Sequence, residues 1–299
     1  LVSIDPIQVL LWTLRRNERD VVNLYNSLSP LMQLAAGSNM LNFGYWNNAS
    51  NPLEAQYELC SRVGKLAELD SSKKIADIGS GFSAPALYWK SQYESINIIC
   101  VNTNFQQLKF STKLIDNKVH DQKARSVSLL QTDELVFLNA TSTTLPIADN
   151  SVDRVIALES AQHFKPLSLF VQESRRILKQ NGLLVVAIPV IAIPAGPLTS
   201  LKLGILSFTW PSEHYGLNDV KSIISREGFQ IIDILSIGSQ VYGPLADYYI
   251  QNRKVLRDVI LKEYPAYLEN ILYKSLLKMK QVSREGVIDY VLIKCNLAG

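Results

Sequence analysis

The chain has 299 residues, 47% of them apolar and 19% charged, with 14 glycines and 12 prolines. That length makes one large domain or two small ones and buries about three quarters of the unfolded surface, so no disulfide or metal staple is needed. Thirty basic against 27 acidic residues leave +3, too little for affinity built on phosphate neutralisation, and the low charged fraction excludes a disordered or collagen-like chain.

Pro6 to Leu28 carries apolar residues at helical spacing, Asn39 to Pro52 is rich in Asn, Gly and aromatics, and Ala55–Leu69 is an expected helix. Lys74–Ile78 is a short apolar run ending in Gly-Ser-Gly. Asn97–Val101, Val152–Leu158 and Leu183–Ile188 are further strand-like runs, with a helical pattern over Leu167–Lys179. Leu217–Glu227 reads as a helix, and Phe229–Ile237 and Ile288–Lys294 as late strands. The long aromatic stretch Tyr242–Arg284 between those strands is expected to form a helical lid, because so long a structureless loop is uncommon. Strands alternating with helices predict a doubly wound α/β domain, its mostly parallel sheet covered on both faces, with helical lid segments at both chain ends. The expected organisation is an N-terminal helical cap over 1–54 and a core over 55–299, with lid insertions at about 191–216 and 240–285.

Cys60, Cys100 and Cys295 are odd in number, widely spaced and set in apolar stretches. They offer neither a disulfide framework nor a CxxC metal pair, and read as buried thiols of a reducing, cytoplasmic compartment. The most apolar run, Leu183 to Pro197, is short and interrupted by Pro189 and Pro194, which argues against membrane insertion. A start at Leu1 rather than Met reads as a trimmed chain, with a removed leader left open.

Ile75-Ala76-Asp77-Ile78-Gly79-Ser80-Gly81-Phe82-Ser83-Ala84 sets a tight glycine turn between a strand and a helix. Such a turn lets backbone approach a nucleotide-like cofactor, although a bare structural turn and the dinucleotide pattern GxGxxG/A fit the string as well. Asp77 weighs against a dinucleotide. A carboxylate two residues before the first glycine repels a pyrophosphate and welcomes a cation. The next strand ends in Asn102, which offers ribose hydroxyls an acceptor and two donors without charge and serves either cofactor.

Ala76-Asp77-Ile78-Gly79-Ser80-Gly81 resembles the first motif of the class I S-adenosylmethionine-dependent small-molecule methyltransferases, and Ile99 to Gln107 resembles their second-strand end. Asn139-Ala140 with Leu145 to Asp153 is similar to their adenine-side segment, with Asn139 where an acid is usual. Leu158-Glu159-Ser160-Ala161-Gln162-His163-Phe164, Ser174 to Gly182 and Gly286 to Tyr290 complete the set. Leu41-Asn42-Phe43-Gly44-Tyr45-Trp46 is similar to the N-terminal motif of the branch acting on macrolides, other polyketides, sterols and terpenoids. The resemblance implies a Rossmann-like sheet of seven strands, S-adenosylmethionine as cofactor with S-adenosylhomocysteine as product, and a small lipophilic acceptor methylated at a hydroxyl. Carbon or nitrogen methylation is the alternative. It implies cofactor contacts from Tyr25, Trp46, Asp77, Gly79, Ser80, Gly81, Asn102, Thr103, Gln107, Asn139, Ala140 and Glu159.

Glu159 and His163 follow the Val152–Leu158 run, where ligands of such sheets bind. Four residues apart, they can share one helical face, and a histidine such as His163 can take a proton near neutral pH. They are the candidate catalytic pair, with Glu159 as base or cation stabiliser and His214 as the reserve base. His120 reads as solvated. A hydrogen-bonded structural role remains open for His163, as does ordinary packing for the aromatics expected to close over the sheet edge: Tyr25, Tyr45, Trp46, Trp210, Tyr215, Tyr242, Tyr248 and Tyr249. An NAD(P)-dependent oxidoreductase is the rival enzyme class and a non-catalytic cofactor-binding scaffold the rival binding class. Nucleic acid is not an expected partner, since neither a basic stripe nor the Asp/Asn-Pro-Pro-aromatic motif is present.

Overall fold

The structure is a computed structural model that describes residues 6–122, 134–194, 196–210 and 213–298. One seven-stranded sheet forms its centre: β1 (Lys74–Ile78), β2 (Asn97–Asn102), β3 (Leu135–Asn139), β4 (Val152–Leu158), β5 (Leu178–Ile191), β6 (Phe229–Ser236) and β7 (Ile288–Leu297). The spatial order is β3-β2-β1-β4-β5-β7-β6, parallel except for β7, which runs antiparallel to both neighbours. β1 is the switch point, flanked by β2 and β4, and the crevice outside the strand ends there is where such sheets take ligands.

Burial explains which strands announce themselves. β1 is buried from Ile75 to Ile78 and β4 almost throughout, so both read as short, mostly apolar runs with the predicted limits. β3 lies at the edge and is partly exposed, with Val136 at 42%, so it gives no comparable signal and is absent from the sequence reading. β5 begins earlier than expected, because Leu178 already pairs with Val152 and residues 179–182 bulge before Leu183 pairs with Arg154.

Two apolar clusters fill the opposite faces of the sheet. One contains Leu59, Val63, Ile75, Trp89, Ile98, Tyr242 and Tyr290, and the other Ala76, Ile78, Val155, Phe170, Leu184 and Val291. The alternation of Ile75 and Ala76 between them is the period of two that strands impose. Covering helices are α3 (Pro52–Leu66), α4 (Ala84–Gln92), α5 (Phe105–Gln122), α6 (Leu167–Ile177) and α9 (Leu217–Arg226). His120 lies on α5, but its side chain is outside the described residues.

The chain ends supply the rest. The expected N-terminal helix divides into α1 (Pro6–Arg15) and α2 (Glu18–Ala36), because Arg16 turns left-handed (φ 54°) and the Asn17 side chain caps α2 by accepting from Asp20 N. α7 (Pro197–Leu203) and α8 (Leu206–Thr209) follow β5, while α10 (Gly238–Ile260) and α11 (Ala266–Arg284) fill the β6–β7 connection. α1 packs on α8 and α2 on α10, and Leu31 joins Ala246, Tyr249, Tyr264 and Leu268 in a third cluster. Elements from both ends of the chain therefore meet over one side of the sheet. Among the described residues no helix is long and apolar enough to cross a membrane, and the three cysteines are free and buried.

The turn after β1 depends on a missing side chain. Gly79 has φ 77°, and a Cβ there would lie 2.4 Å from Ser160 Cβ, closer than two carbons can pack. Gly79→Ala should destabilise the fold by about 2–4 kcal/mol, combining left-handed strain with overpacking. Denaturant unfolding of the two proteins measures it, and unchanged stability would contradict the close approach.

Candidate active site

The carboxyl ends of β1 and β2 are joined by backbone before any ligand is considered. Gly79 N and Ser80 N donate to Val101 O at 2.8 and 3.0 Å, and Ser160 Oγ, after β4, donates to Ile78 O at 2.6 Å. Gly81 also has positive φ (57°), but here the space is open: a Cβ would find only Leu41 Cδ1, 4.0 Å away. Gly79 is thus demanded by packing, whereas Gly81 leaves the loop backbone bare toward a cavity.

That cavity measures about 580 Å³, within the range of small-molecule sites. Tyr25, Gly79, Ser80, Gly81, Asn102, Thr103, Gln107, Ala140, Glu159 and His163 line it together. Trp46, Asp77 and Asn139 are not among its lining residues. Trp46 is buried, its Nε1 donating to Phe43 O at 2.9 Å and its ring 5.4 Å from Tyr248. Asn139 spends its Nδ2 on Asn102 O and Thr103 O, both at 2.9 Å, and so ties β3 to the end of β2. Of the expected closing aromatics, Tyr25 and Trp210 reach the cavity. Elsewhere, Tyr242 donates to Asp289 O, Tyr249 to Glu269 and Tyr215 to Phe164 O, while the Arg62 guanidinium covers Tyr45.

Two carboxyl groups define the electrostatics. Glu159, itself at φ 50°, accepts on Oε1 from Phe43 N at 2.8 Å and from the Tyr290 hydroxyl at 3.0 Å. Burial outweighs both bonds and pushes its pKa up to about 8. Asp77 is 2% exposed, its Oδ2 has no hydrogen-bond partner among the described residues, and burial raises it to about 7. An unpaired buried carboxylate is costly, so the proton is retained in its place.

His163 ends a short 3₁₀ turn after β4 (Ala161–His163), and its Nε2 lies 2.9 Å from the Tyr25 hydroxyl of α2. Burial, with the Glu159 charge in second place, raises the Tyr25 phenol above its ordinary value. The phenol thus keeps its proton and can donate it to Nε2, the tautomer that puts the ring proton on Nδ1. His214, the reserve base, is not in the cavity lining. It sits 5.4 Å from Trp210, and burial, helped by Arg16, lowers it to about 4, which makes it a weak base. Pro211 and Ser212 beside it lie outside the described residues.

Helix α2 holds the feature that apolar periodicity did not reveal. Glu18 bonds Thr141 after β3, Tyr25 bonds His163 after β4, and Asn26 and Ser29 bond Asn104 and Gln107 after β2 at 2.8 and 3.3 Å. Positions 18, 25 and 29 recur at helical spacing, with 26 beside them, so one polar face of α2 lies across three loop ends. Below it, Asn102 Nδ2 donates to Gly81 O and to Gln107 Oε1 at 3.1 and 2.9 Å. That side chain organises the loop as well as facing the cavity.

Residues 76–186 match the methyltransferase domain family. The chain is 26% identical to the erythromycin 3''-O-methyltransferase of Saccharopolyspora erythraea, over 87% of this chain and 84% of that one. It is 24% identical to the (S)-coclaurine N-methyltransferase of Papaver somniferum, over 55% and 44%. The cyclopropane synthase MmaA2 of Mycobacterium tuberculosis has the same fold, with a TM-score of 0.74 at 15% identity over 91% of this chain and 95% of that one. A seven-stranded Rossmann-like sheet, its glycine loop and these matches define a methyltransferase. Its methyl donor is S-adenosylmethionine, and the residues present fit that group. The donor carries a net positive charge, and the ionisable lining side chains among the described residues are Glu18, Tyr25, Glu159 and His163, with no Lys or Arg. The bare backbone at Gly81 adds the room, and the buried Asp77 carboxyl behind the loop has an unpaired Oδ2.

Because Asp77 and Glu159 are raised in the folded state, the native protein holds protons that the unfolded chain releases. Their stabilising contribution is therefore complete below the unfolded carboxyl range and disappears as pH rises through about 7 and 8. The melting temperature of the ligand-free protein should fall from pH 5 to pH 8, and Asp77→Asn should flatten that slope. Parallel profiles for both proteins would show that Asp77 is ionised throughout.

Proposed function

We propose that this methyltransferase modifies a hydroxyl of a small lipophilic acceptor of the polyketide, macrolide or related natural-product type. The observation that carries this reading is the second half of the cavity. Its lining includes Leu10, Leu28, Met32, Phe208, Leu272 and Leu276, with no cation in the described lining. The erythromycin 3''-O-methyltransferase relative supports the same acceptor class. Methylation at nitrogen is a second reading, because a cavity whose acids are Glu18 and Glu159 also suits an amine, and the coclaurine N-methyltransferase relative agrees with it. A diphosphate-bearing nicotinamide cofactor fits worse, with carboxyl groups and no basic side chain around the loop.

In this reading Gly79, Ser80 and Gly81 would hold the amino-acid end of the cofactor with the Asp77 carboxyl behind them, and Glu159 would supply negative charge to complement its sulfonium. Asn102, Thr103, Gln107 and Ala140 hold the nucleoside, while Asn139 and Trp46 brace the loops behind them. Bound S-adenosylmethionine supplies a methyl group already attached to an excellent leaving group. The protein supplies alignment, desolvation and a place for the acceptor's proton, of which alignment is the larger share at about 7–11 kcal/mol. α2 excludes water from above. The acceptor hydroxyl gives its proton to Tyr25 Oη as the Tyr25 proton moves to His163 Nε2, a transfer for which the 2.9 Å contact is already in place.

Incubation with S-adenosylmethionine and an extract of the producing cell, followed by mass spectrometry, should reveal one metabolite gaining a methylene. No gain in any metabolite would refute the acceptor class. His163→Ala should lower kcat about 10²–10⁴-fold with cofactor affinity retained in calorimetry, and a wild-type rate would move the base elsewhere. Asp77→Asn should weaken cofactor binding and reduce the protons released on binding near pH 7, and unchanged affinity would remove that assignment.

A further inference from the structure

The apolar end of the cavity carries two hydroxyls in its wall, Thr209 on α8 and Ser275 on α11. Ser275 Oγ lies 2.8 Å from Thr209 Oγ1 and 2.7 Å from Ile271 O, and Thr209 Oγ1 lies 3.1 Å from Ile205 O. A hydroxyl owns one proton and two lone pairs. Two protons therefore serve three contacts within the protein, and an arrangement that makes the most of these contacts spends both protons internally. What the pair then presents to the chamber is lone pairs. Thr13, also in the lining, repeats the pattern by donating to Leu10 O at 2.8 Å. Back-bonding to a carbonyl three or four residues earlier is common for helical Ser and Thr and accounts for each hydroxyl singly. It does not account for two of them meeting across different helices at the wall of an apolar cavity.

The ligand chemistry follows from what such a wall can satisfy. A phosphate or carboxylate would enter with no cation among the described lining residues to pair it. An ether or carbonyl oxygen would set lone pairs against lone pairs, and an ammonium would surrender its hydration for two neutral acceptors. A neutral hydroxyl is the complement, since it donates one hydrogen bond and carries no charge. We propose that Ser275 and Thr209 form a second recognition point that accepts a hydrogen bond from an uncharged hydroxyl of the acceptor, remote from the atom that receives the methyl group. This rests on reading the apolar half of the cavity as the acceptor chamber. It narrows the acceptor to a lipophilic polyol, with one hydroxyl modified and another held.

A ladder of α,ω-alkanediols from eight to fourteen carbons, with the 1-alkanol of each length, probes the subsite without knowledge of the natural acceptor. Binding is measured by calorimetry in the presence of S-adenosylhomocysteine, for the wild-type chain and for the double variant Ser275→Ala, Thr209→Val. For the diol whose length spans the chamber, affinity should fall about tenfold in the variant, while the matching alkanol binds both proteins equally. The alkanol also reports that the variant is folded. Diol and alkanol affinities moving together, or no diol responding at any length, would overturn the subsite alone. If S-adenosylhomocysteine binds and neither alkanols nor diols do, the apolar-acceptor reading fails and the subsite with it.

Discussion

Two carboxyl groups buried at adjoining strand ends, with no basic side chain paired to either among the described residues, are the constraint around which this protein is arranged. Asp77 lies in β1 opposite Ile156 of β4, and Glu159 follows the last residue of β4. The sheet order therefore sets the two acids near each other, Glu159 lining the cavity and Asp77 buried behind the glycine loop. Left without a cation, both hold their protons to unusually high pH, about 7 and about 8, and a positively charged ligand would favour their ionisation. The fold could relieve this cost by supplying a lysine or arginine. It supplies amide and phenol donors from Phe43 and Tyr290 to Glu159 instead, which stabilise the group without neutralising it.

Much of this was legible from residue order, for identifiable reasons. Strands buried on both faces betray themselves as mostly apolar runs, so β1 and β4 are readable with their observed limits, and the glycine turn falls between strand and helix. Edge strand β3 was not read, because partial exposure dilutes its pattern. The site residues divide in the same way. Glycines, Glu159 and His163 stand at strand ends, where position alone implies a role, and the cavity contains them. Asn102 and Asn139 resemble ligand contacts in sequence, yet much of their hydrogen-bonding capacity goes to neighbouring backbone, which only coordinates reveal. For aromatics the difficulty is sharper. Helical spacing gives a face but not what the face meets, so Trp46 and Tyr242 could not be separated from Tyr25 and Trp210.

The polar face of α2 was the signal least expected. Apolar periodicity finds the stripe that meets a core, and α2 has one, with Leu24 and Leu31 buried. Its functional stripe consists of Glu18, Tyr25, Asn26 and Ser29, which a search for hydrophobic pattern treats as solvent-facing. Their partners sit on loops after three different strands, more than seventy residues away for Asn104 and Gln107 and farther for Thr141 and His163. No local window of sequence could have paired them.

The division of labour between sheet and helices has an evolutionary corollary. In the proposed reading the donor is held by loops tied to the sheet, whereas the acceptor is enclosed by α1, α2, α8 and α11, which lie outside the sheet. Substitutions on α1, α8 and α11 can therefore reshape what is modified while the α2 bonds to the loops after β2, β3 and β4 stay in place. A lineage built this way can diversify its chemistry of decoration by drift at its margins, while its central scaffold changes slowly.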